Sequence, residues 1–344
     1  MRQRWAYVAL EAVNSSPNFR RPGLHTATEL PGHAKGGAAP GRQLRISPLS
    51  GDNPPYPLTV TTQTSTYDSD RVEGHHWRDL WRYRELLQVL AWKEVTLRYK
   101  QSHLGLLWIV LRPLMLVGIF MVVRSFIGID SGAVPYALLT YCAMVPWLFF
   151  LEAASAGVGS VTNHANLVKK IYFPREVFPL ASLLATGVQL LIGLCILALM
   201  MALYRWVPTW HALWVPLLLF YTMLVALSVS LGGAALNVYS RDASQGIPLL
   251  LGMGMFLTPV MYPLDLVQRA LLDRQAAGEW SGLLYKLYVA NPMTGLIDSF
   301  QNVLLRGEPP DWAVLAPGAL LVAVVLPAGW LLFKRAEAHF ADVI

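Results

Sequence analysis

The feature that most constrains this chain is a series of six apolar segments. They lie at residues 106–125, 136–161, 178–203, 212–236, 247–262 and 313–333. About 20 helical residues cross the roughly 30 Å hydrocarbon core of a bilayer, and the fifth segment is the shortest of the six. Because lipid offers no hydrogen-bond partner to the backbone, these segments must be helices. Only 14% of the residues are charged, against about 25% in soluble domains. The sequence therefore predicts an all-α integral membrane protein with six transmembrane helices.

Residues 1–76 differ from the rest because they are rich in proline, glycine, serine and threonine. Such a segment buries too little apolar surface to order itself, so we expect a disordered N-terminal tail. Residues 77–102 instead predict an amphipathic helix in the cytoplasmic headgroup plane, with packing on a partner as the alternative. Its apolar face holds Leu80, Tyr83, Leu87, Leu90 and Ala91. Residues 103–344 form the predicted six-helix transmembrane domain.

Basic residues cluster in alternate loops of the predicted topology. They are Arg98 and Lys100 before the first span, Lys169, Lys170 and Arg175 after the second, Arg241 after the fourth, and Lys334 and Arg335 after the sixth. By the positive-inside rule, these loops and both termini are cytoplasmic. Contacts with membrane lipid headgroups account for the net charge of +6, so we expect no nucleic-acid partner.

The long loop at residues 263–311 is not uniformly polar. It contains two amphipathic stretches, 280–288 and 293–305, that are too short to cross a membrane. The turn signal Asn291-Pro292 separates them. Because this loop lies on the outer side between spans five and six, we expect the two stretches to be short re-entrant or interfacial helices.

Charged residues also occur inside the predicted spans. Arg112 and Arg124 bracket eleven uncharged residues, which is about 16 Å of helix. We favour the interpretation that each arginine extends toward its own interface; the alternative is that Arg112 faces a water-filled cavity. Glu152 lies near the middle of the second span, where a charge facing lipid costs about 2.5–3.5 kcal/mol. We therefore expect Glu152 to face the interior, paired with a basic group or lining a pathway.

The sequence lacks the motifs of common enzyme classes. It has no GxxxxGK[ST], and hence no P-loop for ATP, and no HExxH or GxSxG. Cys142 and Cys195 lie in separate apolar segments and supply no disulfide framework or metal site. We therefore expect no catalytic, cofactor-binding or metal-binding residues in this chain. An intramembrane glycosyl- or acyltransferase, which would need acidic or histidine clusters at an interface, and a membrane scaffold without transport are retained as function classes to weigh.

Several short motifs are similar to those of one transporter family. They are YRELL at 83–87, LRYKQSHLGLLW at 97–108, VPWLFF at 145–150, NLVKKIYFPR at 166–175, LNVYSRD at 236–242, PVMYP at 259–263, NPMTG at 291–295 and FADVI at 340–344. Over residues 78–344 the chain thereby resembles the polysaccharide and polyol-phosphate export permeases of ABC transporters, which belong to the type-2 exporters. Arg112 departs from the family pattern, which has a neutral residue there.

This resemblance implies the membrane-spanning subunit of an ATP-driven exporter. Its substrate would be lipid-linked polysaccharide, such as O-antigen or capsule, moved across the bacterial inner membrane. Two copies would form a homodimer around a central pathway, and two copies of a separate P-loop ATPase subunit would hold ATP and Mg. This chain itself would bind no cofactor. A type-2 exporter of a drug or lipid is the alternative within the same class.

Aromatic rings in the second span are candidates for lining the pathway. Such rings offer a flat face to sugar C–H groups, and Tyr and Trp add a polar edge for hydroxyls. The candidate pathway residues are Tyr136, Tyr141, Trp147, Phe149, Phe150 and Glu152. An ordinary interfacial aromatic belt is the alternative, but Trp147 lies about 16 Å along the helix from Tyr136, which is too deep for a belt.

Three further groups of candidates lie at the ends of the spans. The predicted substrate entrance, where phosphate would be contacted, comprises Arg98, Tyr99 and Lys100. The candidates for coupling to the ATPase are Asn166, Leu167, Val168, Lys169, Lys170, Ile171, Tyr172, Arg241 and Asp242. Setting the topology alone is the alternative role of the two lysines. The predicted outer gate comprises Pro259, Tyr262, Asn291 and Pro292.

Overall fold

The computed structural model describes residues 83–100, 107–128, 132–170, 173–276 and 280–340. The predicted disordered tail at 1–76 lies outside these residues, as does the start of the predicted amphipathic helix at 77–82. Two coupling candidates, Ile171 and Tyr172, also lie outside them. The side chains of Tyr99, Lys100 and Lys170 are likewise not described.

All regular structure in the described part of the chain is helical. The helices are α1 (Arg84–Lys100), α2 (Leu107–Ile127), α3 (Tyr136–Asn163), α4 (Ala165–Lys170), α5 (Val177–Leu203), α6 (Val215–Tyr239), α7 (Ala243–Gly254), α8 (Leu264–Ala276), α9 (Ser281–Ala290), α10 (Pro292–Gln301) and α11 (Trp312–Glu337). Short turns of other helix types extend three of them: Trp210–Trp214 precedes α6, Met255–Leu257 follows α7, and the π-helical turn Asn302–Arg306 follows α10.

Five helices in this part of the chain are long and apolar enough to cross a membrane, namely α2, α3, α5, α6 with its preceding turn, and α11. The segment predicted as the fifth of six spans forms the shorter apolar helix Ala243–Leu257, which at about 1.5 Å per residue is roughly 22 Å long. It ends where Thr258 takes an extended backbone conformation, before the predicted end at residue 262. The all-helical fold with several apolar spans is confirmed, whereas the count of six spans stays a prediction.

The second span, α3, forms the centre of the helical bundle. In its most apolar stretch 89% of the residues are buried, against 22–28% in the other four spans. Small residues let α6 approach it closely: a methyl group at Gly233 would lie 2.5 Å from Val158 Cγ2, and one at Gly157 would overlap the Ser230 side chain. Such small-residue contacts are how helices associate in lipid, where hydrophobicity does not distinguish a neighbouring helix from an acyl chain.

We call the end of the bundle that carries Lys169, Arg175 and Arg241 the basic end. A second apolar core lies there, with edge-to-face ring pairs Phe173–Phe178 and Phe333–Phe340 at 5.2 and 5.3 Å between centroids. α1 packs onto this core through residues of its predicted apolar face, including Leu90 and Ala91. Val89, Trp92 and Leu97 are nevertheless exposed, so α1 carries a second apolar surface that the sequence pattern did not predict.

At the opposite end, α8, α9 and α10 follow one another between α7 and α11. α9 and α10 correspond to the two predicted short helices, whereas α8 was not predicted. α10 is buried along its length and lies directly against the backbone of α11. The approach is so close that a methyl group added at Gly295 would lie 2.5 Å from the carbonyl oxygen of Val314. Gly318 of α11 makes the matching approach to Pro292.

Candidate functional site

The candidate coupling residues lie at the basic end, on α4 and at the start of α7. Val168 is buried in the basic-end core and Leu167 packs against it, whereas Asn166 and Lys169 are exposed. Arg241 and Asp242 are also exposed, in the turn between α6 and α7. α4 is thus a short helix anchored by its apolar side with a polar outer surface. This arrangement suits docking to a second protein, and the coupling role stays a prediction.

Asn237 joins the end of α3, which precedes α4, to the start of α7, although the sequence suggested no role for it. Its Nδ2 donates to Thr162 Oγ1 near the end of α3 at 2.9 Å, and its Oδ1 accepts from the Ser244 N–H of α7 at 3.0 Å. The side chain is buried, where a lost hydrogen bond leaves an unsatisfied group that costs about 1–3 kcal/mol. The ends of α3, α6 and α7 are therefore held in a fixed relation.

A charged cluster connects the loop after α4 to the end of α11. Lys334 Nζ bonds to Glu176 and also donates to Glu337 Oε2 at 2.8 Å. The Arg175 N–H donates to Glu337 Oε1 at 3.2 Å, and the Arg175 guanidinium lies 5.5 Å from the centroid of the Phe340 ring. The segment that follows α4 is therefore fixed to the end of α11.

The candidate entrance residue Arg98 lies on α1 near the half-buried carboxyl group of Glu94. Glu94 Oε1 accepts from Ser182 Oγ of α5 at 2.9 Å. Burial raises the pKa of the Glu94 carboxyl above its usual value, although the Ser182 hydrogen bond, His164 and Arg98 oppose this shift. In the described part of the chain, Arg98 Nη1 is buried without a hydrogen-bond partner. The hydrogen bond between Ser182 and Glu94 ties α1 to α5. Phosphate contact at Arg98 stays a prediction.

The aromatic candidates of α3 are all buried within this chain. Trp147, only 2% exposed, meets the Phe150 ring edge-on at 5.6 Å, and Tyr141 and Phe149 border a void of about 20 Å³. Tyr136 OH donates to the carbonyl oxygen of Met261 at 2.7 Å. These rings therefore contribute to the core in this conformation, and their lining of a pathway stays a prediction.

Glu152 differs from its aromatic neighbours because it borders an open groove. It accepts a hydrogen bond from Arg112 Nη1 of α2. The pair lies on a groove of about 470 Å³ between α2, α3 and α7, which we call the charged groove. The pairing of Glu152 with a basic group from another span was one of the two expectations from sequence. The position of Arg112 agrees with the alternative in which it faces a cavity.

The four predicted gate residues lie at the opposite end, in two turns. Tyr262 OH donates to the carbonyl oxygen of Phe256 at 3.0 Å, and Pro259 is buried beside this turn. Asn291 Oδ1 accepts from the Met293 N–H at 3.1 Å and so caps the first turn of α10, where Pro292 starts the helix. The residues therefore shape turns around α10, and their gating role stays a prediction.

A buried carboxyl group on α10, outside the five long spans, was not predicted. Asp298 Oδ2 accepts from Asn302 Nδ2 at 2.9 Å, and Arg306 lies 3.9 Å from Asp298 Oδ1 and 3.5 Å from Asp265 Oδ2. Burial raises the pKa of Asp298 to about 6, with the Arg306 guanidinium opposing the shift. The π-helical turn that follows α10 brings Asn302 and Arg306 to this carboxyl.

Sequence reasoning missed Asn237, Lys334 and Asp298 as residues that organise the two ends. One signal was present for each: a polar or charged residue inside or directly beside an apolar helix, where it needs a partner. The partner could not be identified, because Glu176 and Lys334 lie 158 positions apart in the sequence.

Comparison with known proteins agrees with the sequence resemblance. The sequence model of the family described as "ABC-2 type transporter" matches residues 85–273, more than half of the chain. The O-antigen export system permease protein RfbA of Myxococcus xanthus is 29% identical over 269 residues, which cover 78% of this chain and 98% of that protein. A protein of the same name from Klebsiella pneumoniae is 24% identical over 264 residues, covering 76% and 95%. The capsule polysaccharide export inner-membrane protein CtrC of Neisseria meningitidis is 26% identical over 113 residues, covering 32% and 40%.

Proposed function

Because the chain belongs to the ABC-2 type transporter family, we propose that it is the membrane-spanning subunit of an ATP-driven exporter of lipid-linked polysaccharide. The cargo is O-antigen, capsule or a similar polymer, moved from the cytoplasm across the inner membrane. The observation that carries this proposal is the similarity to O-antigen export permeases along 98% and 95% of their lengths. Family members are membrane subunits, so the catalytic step of ATP hydrolysis belongs to a separate partner subunit.

In the proposed assembly, two copies of this chain pair around a pathway and each copy binds one ATPase subunit at the basic end. Two features support this placement. The positive-inside rule makes the basic end cytoplasmic, where ATP is available. The exposed side of α4 and the neighbouring turn with Arg241 and Asp242 offer a docking surface that is fixed to α3 through Asn237. Both chain termini are then cytoplasmic, and α9 and α10 lie on the outer side.

The aromatic residues of α3 line the pathway in this proposal only after α7 moves. Trp147 lies directly behind α7, since a methyl group added to Gly254 would lie 3.4 Å from Trp147 Cη2. Trp147 Nε1 is buried and has no hydrogen-bond partner in the described part of the chain. A displacement of α7 would therefore expose an indole with an unused donor to a passing glycan.

The proposed function is tested by deleting the gene and returning it on a plasmid. We expect the surface polymer to disappear, to accumulate inside the cell, and to return with the plasmid copy, as seen by gel analysis of fractionated glycan. Unchanged surface polymer in the deletion strain would refute the function.

The coupling residues are tested by reversing the charge of Lys169 and Lys170 together. We expect loss of ATPase co-purification and of export, because the outer side of α4 would then repel a surface that it now attracts. The matched control is Lys286→Glu, an exposed lysine at the opposite end. Equal ATPase recovery from the two variants would exclude docking through α4.

The pathway residues are tested with Trp147→Phe and Phe150→Leu, which retain most of the apolar volume. We expect export to fall while the amount of folded complex stays within the range of the unmodified protein. Normal surface polymer in both variants would leave Trp147 and Phe150 with a packing role only.

A further inference from the structure

The charged groove has two walls of different chemistry. One wall carries Arg112 of α2 and Glu152 and Ser155 of α3. The other is apolar and comes from α7 and its following turn, with Leu249, Met253 and Phe256. Its volume of about 470 Å³ lies within the range of roughly 300–1,000 Å³ that is usual for small-ligand sites.

The ion pair is exposed to the groove rather than enclosed by packing. The Arg112 side chain is 53% exposed and that of Glu152 is 29% exposed. Glu152 lies eleven residues from the end of α3 at Asn163, which is about 16 Å along the helix. Charges at such a depth face a water-filled cavity or a polar ligand, because exposure to hydrocarbon is costly. The groove is therefore a polar compartment within the membrane region.

Both members of the pair retain unused hydrogen-bonding capacity. Within the described residues, Glu152 is the hydrogen-bond partner of Arg112, through one nitrogen and one oxygen. A guanidinium has five N–H donors and an ionised carboxylate has about four acceptor positions. The contact is not the two-bond fork that arginine often forms with a carboxylate. Several donors and acceptors therefore remain side by side at the groove.

Neighbouring donors and acceptors with no net charge match one ligand class in particular. A sugar presents adjacent hydroxyl groups, each of which both donates and accepts. An anion such as phosphate would be drawn to Arg112 but repelled by Glu152, so the pair favours a neutral polyol. The Phe256 ring, 56% exposed on the facing wall, offers an apolar surface for the C–H side of a sugar ring.

We infer that the charged groove is a subsite for a sugar unit of the exported glycan. Arg112 donates to one hydroxyl, Glu152 accepts from its neighbour, and the ring lies toward Phe256. This inference rests on the proposed function and adds to it a binding site that selects for hydroxyl pairs.

The test uses a cysteine placed in the groove and the complete transporter in inverted membrane vesicles. Met253→Cys is made with Cys195→Ser, since Cys195 is exposed and Cys142 is buried. The probe is the charged thiol reagent 2-(trimethylammonium)ethyl methanethiosulfonate. Vesicles from cells that lack the polymer are compared with vesicles in which an ATPase partner unable to hydrolyse ATP holds the polymer in the transporter.

We expect Met253→Cys to react in polymer-free vesicles and to react more slowly when polymer is held. In the double variant Arg112→Met/Glu152→Leu, which keeps side-chain volume without charge, polymer occupancy should fall by about tenfold or more, the factor carried by one charge-assisted hydrogen bond. Protection of Met253→Cys should therefore be lost. Leu320→Cys is the matched control. Leu320 is exposed on the outside of the membrane-spanning helix α11 and does not line the groove, so the charged reagent should not reach it in either kind of vesicle.

Three outcomes would overturn the inference. The groove is not a polar compartment if Met253→Cys is unreactive without polymer. It does not hold the glycan if the two kinds of vesicle react equally. It does not recognise hydroxyls through the pair if protection persists in the double variant. Surface polymer is measured separately, in polymer-producing cells that carry the same variants with an active ATPase partner. It reports on the proposed function, because export there can proceed normally while the groove remains unprotected in the vesicles.

Discussion

The contact between α10 and α11 leads to a specific prediction for Gly295→Ala. A methyl group at Gly295 would lie 2.5 Å from the carbonyl oxygen of Val314 and 2.7 Å from Leu315 Cα. Non-bonded carbon atoms are most favourably placed about 3.5–4.0 Å apart, so the two helices must separate by about 1 Å. The obstacle is backbone, which cannot rotate away as a side chain can.

The expected loss of stability combines two opposing effects. Overpacking of a well-packed site costs about 1–3 kcal/mol, and an immovable backbone obstacle places this site near the upper value. Alanine in place of glycine inside a helix stabilises by roughly 1 kcal/mol. The net destabilisation is therefore about 2 kcal/mol, which corresponds to roughly a thirtyfold change in the folding equilibrium.

The assay is the thermal stability of the purified, detergent-solubilised complex, followed by fluorescence-detected size exclusion after heating. Gly187→Ala is the matched control, because Gly187 lies inside α5 and a methyl group there meets nothing within 4 Å. We expect Gly187→Ala to be as stable as the unmodified protein or more so, and Gly295→Ala to be clearly less stable. If the two variants unfold at the same temperature, the close approach of α10 to α11 is wrong.

Three further predictions concern the charged and polar contacts at the two ends. Burial raises the pKa of Asp298 from 3.8 to about 6, so its contribution to stability is complete below about pH 4 and is lost, by about 3 kcal/mol, as pH rises through 6. Asp298→Asn should abolish this part of the pH dependence of thermal stability. A pH profile unchanged by the substitution would contradict the burial. Lys334→Met should lower the free energy of unfolding by about 3–5 kcal/mol, because it leaves Glu176 buried and unpaired. In a double-mutant cycle, Lys334→Met/Glu176→Leu should recover much of this loss. Purely additive effects of the two substitutions would exclude the pair. Ser182→Ala should cost about 0.5–1.5 kcal/mol by removing a hydrogen bond to half-buried Glu94, and it should raise proteolysis of α1 in solubilised protein. Protease resistance equal to that of the unmodified chain would argue against this anchoring contact.

Much of the helical framework was predictable from the sequence. The second apolar segment starts at Tyr136 in both the prediction and the structure, and the third ends at Leu203 in both, because long apolar stretches bounded by charged or turn residues define helices in a membrane. α8 was not predicted, although Leu264, Val267 and Leu271 recur at helical spacing, because charged residues such as Asp265 and Arg269 make the segment polar on average.

The partners of the polar residues were not predictable in the same way. A membrane span is apolar on nearly all sides, so its hydropathy does not reveal which face meets which neighbour. Arg112 and Glu152 lie 40 positions apart, and their pairing depends on how α2 and α3 are rotated. The aromatic residues of α3 illustrate the same limit, because Trp147 and Phe149 suit a protein core as well as a glycan pathway.

The central position of α3 also has a consequence for how this protein is inserted into the membrane during synthesis. α3 has the lowest mean hydropathy of the five spans, 1.6 against 2.0–2.4, and it contains Glu152. A helix of this kind partitions poorly into lipid by itself when it leaves the translocation channel. α2 is synthesised first and brings Arg112, which can neutralise Glu152 as α3 emerges. We therefore expect α2 and α3 to leave the channel as a pair, so that a single arginine assists the biogenesis of the whole bundle.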